Sequence, residues 1–156
     1  MGEPGGEAIG ERFAALAQLR QDGLVRHLGV SHVDADQLDE ALSIAPIAAV
    51  QNRHSAAYRD DAVLARCERD GVAYVPYFPL GGGRPRTDQA SLANVAARHG
   101  ATVAQVALAW LLAASPVTLA IPGTSSLDHL TENVAAAGLH LTADDLAQLR
   151  GEPLAG

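Results

Sequence analysis

Four times along this chain a short apolar, β-branched run is followed by a helix with its own start signal. The runs are VRHLGVS (25–31), IAAVQNR (47–53), AYVPYFP (73–79) and VTLAIPG (117–123). Strands that alternate with helices pair in parallel through right-handed crossovers. The expected fold is therefore α/β, a parallel (β/α)4 array. With 156 residues the chain is long enough for one domain with its own core, 1–156. A closed ring of eight such units needs about 250 residues, so four units make half of one. Half a ring leaves two sheet edges and an apolar inner face uncovered. Self-association into a C2 homodimer would bury both.

The helices have readable boundaries. A first helix, 7–22, carries Phe13, Leu16, Ala17 and Leu19 on one face and stops at Asp22-Gly23. Asp34 stands three residues before Gln37, Thr102 before Gln105 and Thr142 before Asp145. That spacing lets a side chain and a backbone N–H cap each other, and it predicts helices from 35, 103 and 143. Further helices are expected over 60–70, 89–99 and 127–137, the last capped by Ser126. Pro76 argues for an irregular third strand, because proline has no N–H for the ladder. GGGRPRTD (81–88) reads as a flexible loop without the context of a dinucleotide fingerprint.

Charge and composition exclude several classes. There is no lysine, and 18 acidic residues outweigh 11 arginines for a net charge of −7. No basic run exists, so nucleic acid is not an expected partner. No apolar run reaches about 18 residues, so no membrane span is expected. The start, MGEPGGEAIGERF, lacks the basic and apolar regions of a signal peptide. A single cysteine, Cys67, makes no intrachain disulfide or cysteine metal cluster. It reads as the middle of an exposed helix, and the cytoplasm is the expected compartment.

In parallel barrels active sites lie at the C-terminal ends of the strands. That places Ser31 and His32, Gln51, Asn52 and His54, Tyr77 and Phe78, and Gly123–Ser126 on the functional face. Histidine is the side chain best poised for proton transfer near neutral pH. His32 and His54, with Tyr77, are therefore the expected catalytic residues. His27, inside a strand, and His99 and His140, at helix ends or on the surface, read as structural. Asp34 lies near the two histidines, but no third ligand has suitable spacing and no metal is expected. At 123–126 a helix N-terminus with hydroxyls suits an oxyanion. A helix cap and a turn would need the same residues, and spacing alone leaves both readings open.

GLVRHLGVS (23–31), AVQNRHS (49–55), YVPYFPLGGG (74–83) and IPGTSSLDHLTENV (121–134), in that order, resemble the C-terminal half of an aldo-keto reductase. The resemblance covers nearly the whole chain and implies strands five to eight of a TIM-type barrel using NADP(H). It implies that Ser31 and Gln51 bind the nicotinamide amide and that Tyr77 stacks on the ring. Gly123, Thr124 and Ser125 would hold the adenosine 2′-phosphate, with the adenine near Glu132 and Asn133. His129 stands where many relatives have arginine, His32 where asparagine is common, and His54 where tyrosine is usual. The family's catalytic Asp, Tyr, Lys and His belong to the first four strands, which this sequence does not contain. The expected function is a small-molecule metabolic enzyme with non-redox acid/base chemistry: cyclisation, isomerisation or dehydration of a carbonyl compound. The alternatives are an NADP(H)-dependent oxidoreductase with a non-standard proton donor, and a non-catalytic nucleotide-binding subunit or fragment.

Overall fold

The computed structural model describes residues 5–55, 61–81 and 89–151. Its elements are α1 (Gly10–Gln21), β1 (Leu28–Ser31), α2 (Ala35–Ile44), β2 (Ile47–Gln51), α3 (Asp61–Asp70), β3 (Ala73–Tyr74), α4 (Gln89–His99), α5 (Val103–Ala114), α6 (Leu127–Ala135) and α7 (Ala143–Arg150). A 3-10 turn, Ala136–Gly138, extends α6. Packing divides the chain into two compact units, one of residues 1–52 and 60–75, the other of 53–59 and 76–156.

The first unit is a parallel sheet in the order β1-β2-β3, with helices between the strands. Pairing slips between Leu28 and Gly29, and Ser31 ends opposite Gln51. Gly29 permits this register: a Cβ there would lie 2.8 Å from the carbonyl oxygen of Ala49. Leu28, Val50 and Tyr74 from the strands meet Phe13, Leu38, Ala41 and Val63 from the helices as buried side chains. Cys67, expected on an exposed helix, is fully buried on the inner face of α3. The residues around it are charged, but Val63, Leu64 and Cys67 share one helical face.

α1 begins later than its sequence pattern indicates. Its first N–H groups, of Ile9 and Gly10, donate to the Glu40 carboxylate on α2 at 2.8 and 2.9 Å. A side chain from another helix thus supplies the cap that the local sequence lacks. Residues before it run along α2, where the Gln37 side chain donates to the carbonyl of Glu7. β3 stops after two residues, as the proline implied; Val75 still donates to Val50, and a single bridge joins Tyr77 to Arg53 in the second unit.

The second unit is helical around α5. Val106, Ala107, Trp110 and Leu111 pack with Leu92, Val95 and Ala96 of α4 and Leu149 of α7. Among the described residues the expected strand 117–123 is reduced to a bridge at Thr118. No single described helix is long and apolar enough to cross a membrane. The glycine-rich loop expected at 81–88 lies outside the described residues after Gly81.

Candidate functional site

β1 and β2 end side by side, and their ends hold the first group of candidates. The Gln51 carbonyl accepts from the Ser31 hydroxyl at 2.8 Å and from the His32 N–H at 3.1 Å. His32 then turns into the left-handed region, with φ 59°. A side chain there costs about 1–3 kcal/mol, which the surroundings must offset. They do so with a second pair of bonds, between the Asn52 carboxamide and both backbone groups of Val33. α2 starts immediately afterwards, through the Asp34–Gln37 capping box.

This corner borders a cleft of about 580 Å³, lined by Gly6, Arg12, Ser31, His32, Val33 and Gln37 among others. Ser31 is exposed, His32 and Gln51 are half-buried. Arg12 lies 3.6 Å from Glu7, both well exposed. The cleft wall from Gly6, Glu7 and the first turn of α1 has no counterpart in the sequence reading, because Glu7 and Arg12 belong to no motif.

Tyr77 belongs to the second unit. It is half-buried and meets Phe78 edge to face, centroids 5.3 Å apart. Phe78 also has a left-handed backbone, φ 55°, inside the turn closed by Gly81 N–H donating to its carbonyl. Burial raises the Tyr77 pKa above the usual phenol value, and nearby Arg53 opposes that shift. The phenol is thus protonated at neutral pH, a donor and a stacking surface rather than a base.

His54 is not where the sequence reading put it. It is 1% exposed and stacked on Trp110, centroids 5.7 Å apart at 18°. The ring is thus buried and stacked on an indole rather than open at the strand end, where the sequence reading placed it. His27, expected inside a strand, is an exposed residue just before β1.

The 121–134 segment is open to solvent. Gly123, Thr124, Ser125 and His129 are exposed, Glu132 and Asn133 half-buried. The Ser126 hydroxyl caps α6 by accepting from His129 N–H at 3.3 Å, and the Thr124 hydroxyl accepts from Ser126 N–H at 3.1 Å. A Cβ at Gly123 would meet nothing within 4 Å, so room remains over the turn. Exposed hydroxyls at a helix start, with a histidine one turn on, fit a phosphate group. Ser126 is committed to capping.

The sequence reading missed a buried acid in the same unit. Asp145, 2% exposed, was singled out only as a cap residue. Its carboxylate also accepts from Arg98 at 2.6 Å and contacts His99 Nε2 at 2.7 Å. The bonds to Arg98, His99 and Thr142 hold its pKa well below the usual carboxylate range against the opposing effect of burial.

Parallel βα units with polar residues gathered at the strand ends define the working face of a barrel enzyme. The aldo/keto reductase family model matches residues 4–151, and the chain belongs to that family. It is 50% identical over 155 residues to the pyridoxine 4-dehydrogenase of Escherichia coli (strain K12), covering 97% of this chain and 54% of that one. It also superposes on the thermostable aldo-keto reductase Tm1743, solved with the inhibitor epalrestat, at TM-score 0.84 and 34% identity, over 93% of this chain and 55% of that one. An aldo-keto reductase from Klebsiella pneumoniae in complex with NADPH matches at TM-score 0.79 and 29% identity, over 96% and 56%. The chain spans about half the length of the relatives it matches. Its fold is accordingly α/β, with a parallel three-stranded sheet among the described residues, matching about half of the TIM-type barrel of these relatives.

Proposed function

We propose that this chain carries the cofactor side of an NADP(H)-dependent oxidoreductase that interconverts a small carbonyl compound and its alcohol. The observation that carries this reading is the pairing of Ser31 with Gln51 at the ends of two adjacent parallel strands. The resemblance assigns those two side chains to the nicotinamide amide. Ser31 and Gln51 would orient the nicotinamide, Tyr77 would stack on it, and Thr124, Ser125 and His129 would hold the 2′-phosphate, with Glu132 and Asn133 by the adenine. When bound, the cofactor supplies or accepts the hydride. His32, beside Ser31 on the cleft, is the candidate proton donor in this chain, with Tyr77 as a second donor.

This reading replaces the expected non-redox chemistry, which needed His32, His54 and Tyr77 on one open face. His54 is buried, and relatives named as a dehydrogenase and reductases favour redox. A heteroaromatic alcohol such as pyridoxine is the first substrate to try, from the 50% identical relative. Titration with NADPH, followed by its fluorescence, tests the reading. Saturable binding is expected, weakened by Thr124→Ala and Asn133→Ala; no binding would reject it.

A second copy of the chain is the proposed partner, with 1–156 acting as one domain. α6 has no buried residue, and Leu127, Leu130 and Val134 are 81%, 51% and 69% exposed on it. Such an exposed apolar stripe suits a second copy of the chain packed against it. Light scattering at micromolar concentration should give twice the 16.1 kDa chain mass; a stable monomer would reject the dimer.

A further inference from the structure

We propose that Asn52 is a positioning residue: its carboxamide continues the β1–β2 ladder past the last backbone pair and fixes Ser31 and His32 against the cleft. The backbone ladder ends at Ser31 opposite Gln51. Beyond it the chain must turn through a left-handed His32 and enter α2 three residues later. Val33, inside that turn, is 4% exposed and presents a buried N–H and a buried C=O. Asn52 serves both: Oδ1 accepts from Val33 N–H at 3.0 Å, and Nδ2 donates to the Val33 carbonyl at 2.6 Å. The amide takes the place that a strand backbone would occupy, and at 1% exposure water cannot replace it.

The geometry explains why an amide stands here. Val33 needs one acceptor and one donor on the same neighbour, and a carboxamide offers both at fixed spacing at any pH. Leucine has the size and neither bond. Aspartate keeps the acceptor, but as an anion it faces the Val33 carbonyl without a proton to give. With Val33 held, the strained φ of His32 cannot relax, and the Ser31 hydroxyl stays on the Gln51 carbonyl. Asn52 therefore acts through its neighbours and does not itself touch a ligand.

The ligand part of this inference rests on the proposed NADP(H) reading, so the test has two arms. The first needs no ligand: amide hydrogen exchange of the intact chain. Asn52→Leu should speed exchange at Val33 about 100-fold while Val50, in the middle of β2, keeps its rate; Asn52→Asp should be intermediate and should recover protection as falling pH protonates the new carboxyl. Unchanged protection at Val33 in both variants would overturn the proposal. The second arm is a double-mutant cycle read by NADPH titration. Asn52→Leu and Ser31→Ala should each weaken binding about tenfold, some 1.4 kcal/mol, and the double variant little more than either. Full additivity would show that Asn52 does not act through Ser31 and would overturn the positioning role. If the parent binds no NADPH, the cofactor reading fails and the exchange arm decides Asn52 alone.

Discussion

Replacing Asp145 should cost more stability than any other surface-proximal change in the second unit. Its carboxylate collects Arg98 on Oδ1, and His99 and the backbone and hydroxyl of Thr142 on Oδ2. Truncation removes all of these and leaves the Thr142 N–H without its cap at the start of α7. Breaking a buried charge pair from one side costs about 3–5 kcal/mol. The Arg98 side chain is 48% exposed and can return to water, which selects the lower end, about 3 kcal/mol for Asp145→Ala. At about 2–4 °C per kcal/mol for a chain of this size, that is a drop in Tm of about 6–12 °C. Asp145→Asn keeps the shape and one acceptor and should lose about half as much. The pH dependence has a definite sign. A carboxyl whose folded pKa is depressed contributes stability that is complete above its unfolded value, about 4, and is lost as pH falls toward the folded one. The gap between parent and Asp145→Asn should thus narrow as the pH falls below about 4. Circular dichroism melts across that range are the assay. An Asp145→Ala melt within about 1 °C of the parent at pH 7, or a gap that widens in acid, refutes the reasoning.

Asp34→Ala removes the α2 capping box and should cost about 1 kcal/mol in urea unfolding, with hydrogen exchange faster in the first turn of α2. Trp110→Ala empties the centre of the helical unit and strips His54 of its stacking partner; about 3–5 kcal/mol is expected from chemical unfolding. Leu130→Glu sits in the exposed α6 stripe and, under the proposed association, should halve the mass seen by light scattering while leaving the melt of the isolated chain within about 0.5 kcal/mol.

The capping boxes at Asp34, Thr102 and Thr142 form as their spacing indicates, because each depends on two residues in one turn. β1, β2 and their helices were readable for a similar reason: apolar runs and turn signals sit together in sequence. What depended on distant partners was not. The start of α1 is set by Glu40, thirty residues away in the next helix, and no local signal announces it. The 117–123 run has the composition of a strand, yet ladder formation needs a neighbouring strand as well as propensity. His54 looked available because it follows a strand, but it is buried and stacked on Trp110 of α5. Asn52 was marked only as a residue on the functional face. Its pairing with Val33 is a tertiary fact, although a polar side chain next to a buried strand end is a hint that can be sought elsewhere.

α6 brings together two properties that are usually kept apart: it follows directly on the turn with the proposed phosphate-holding Thr124 and Ser125 and carries His129, and none of its own side chains is fully buried. Few buried contacts lower the cost of opening a helix locally. Under the proposed function, a partner over Leu127, Leu130 and Val134 would hold the helix closed, and so would a phosphate at Thr124 and Ser125. Two ligands that favour the same form must strengthen one another equally. NADPH affinity would then become a function of protein concentration, rising as chains associate, and the cofactor in turn would tighten the association.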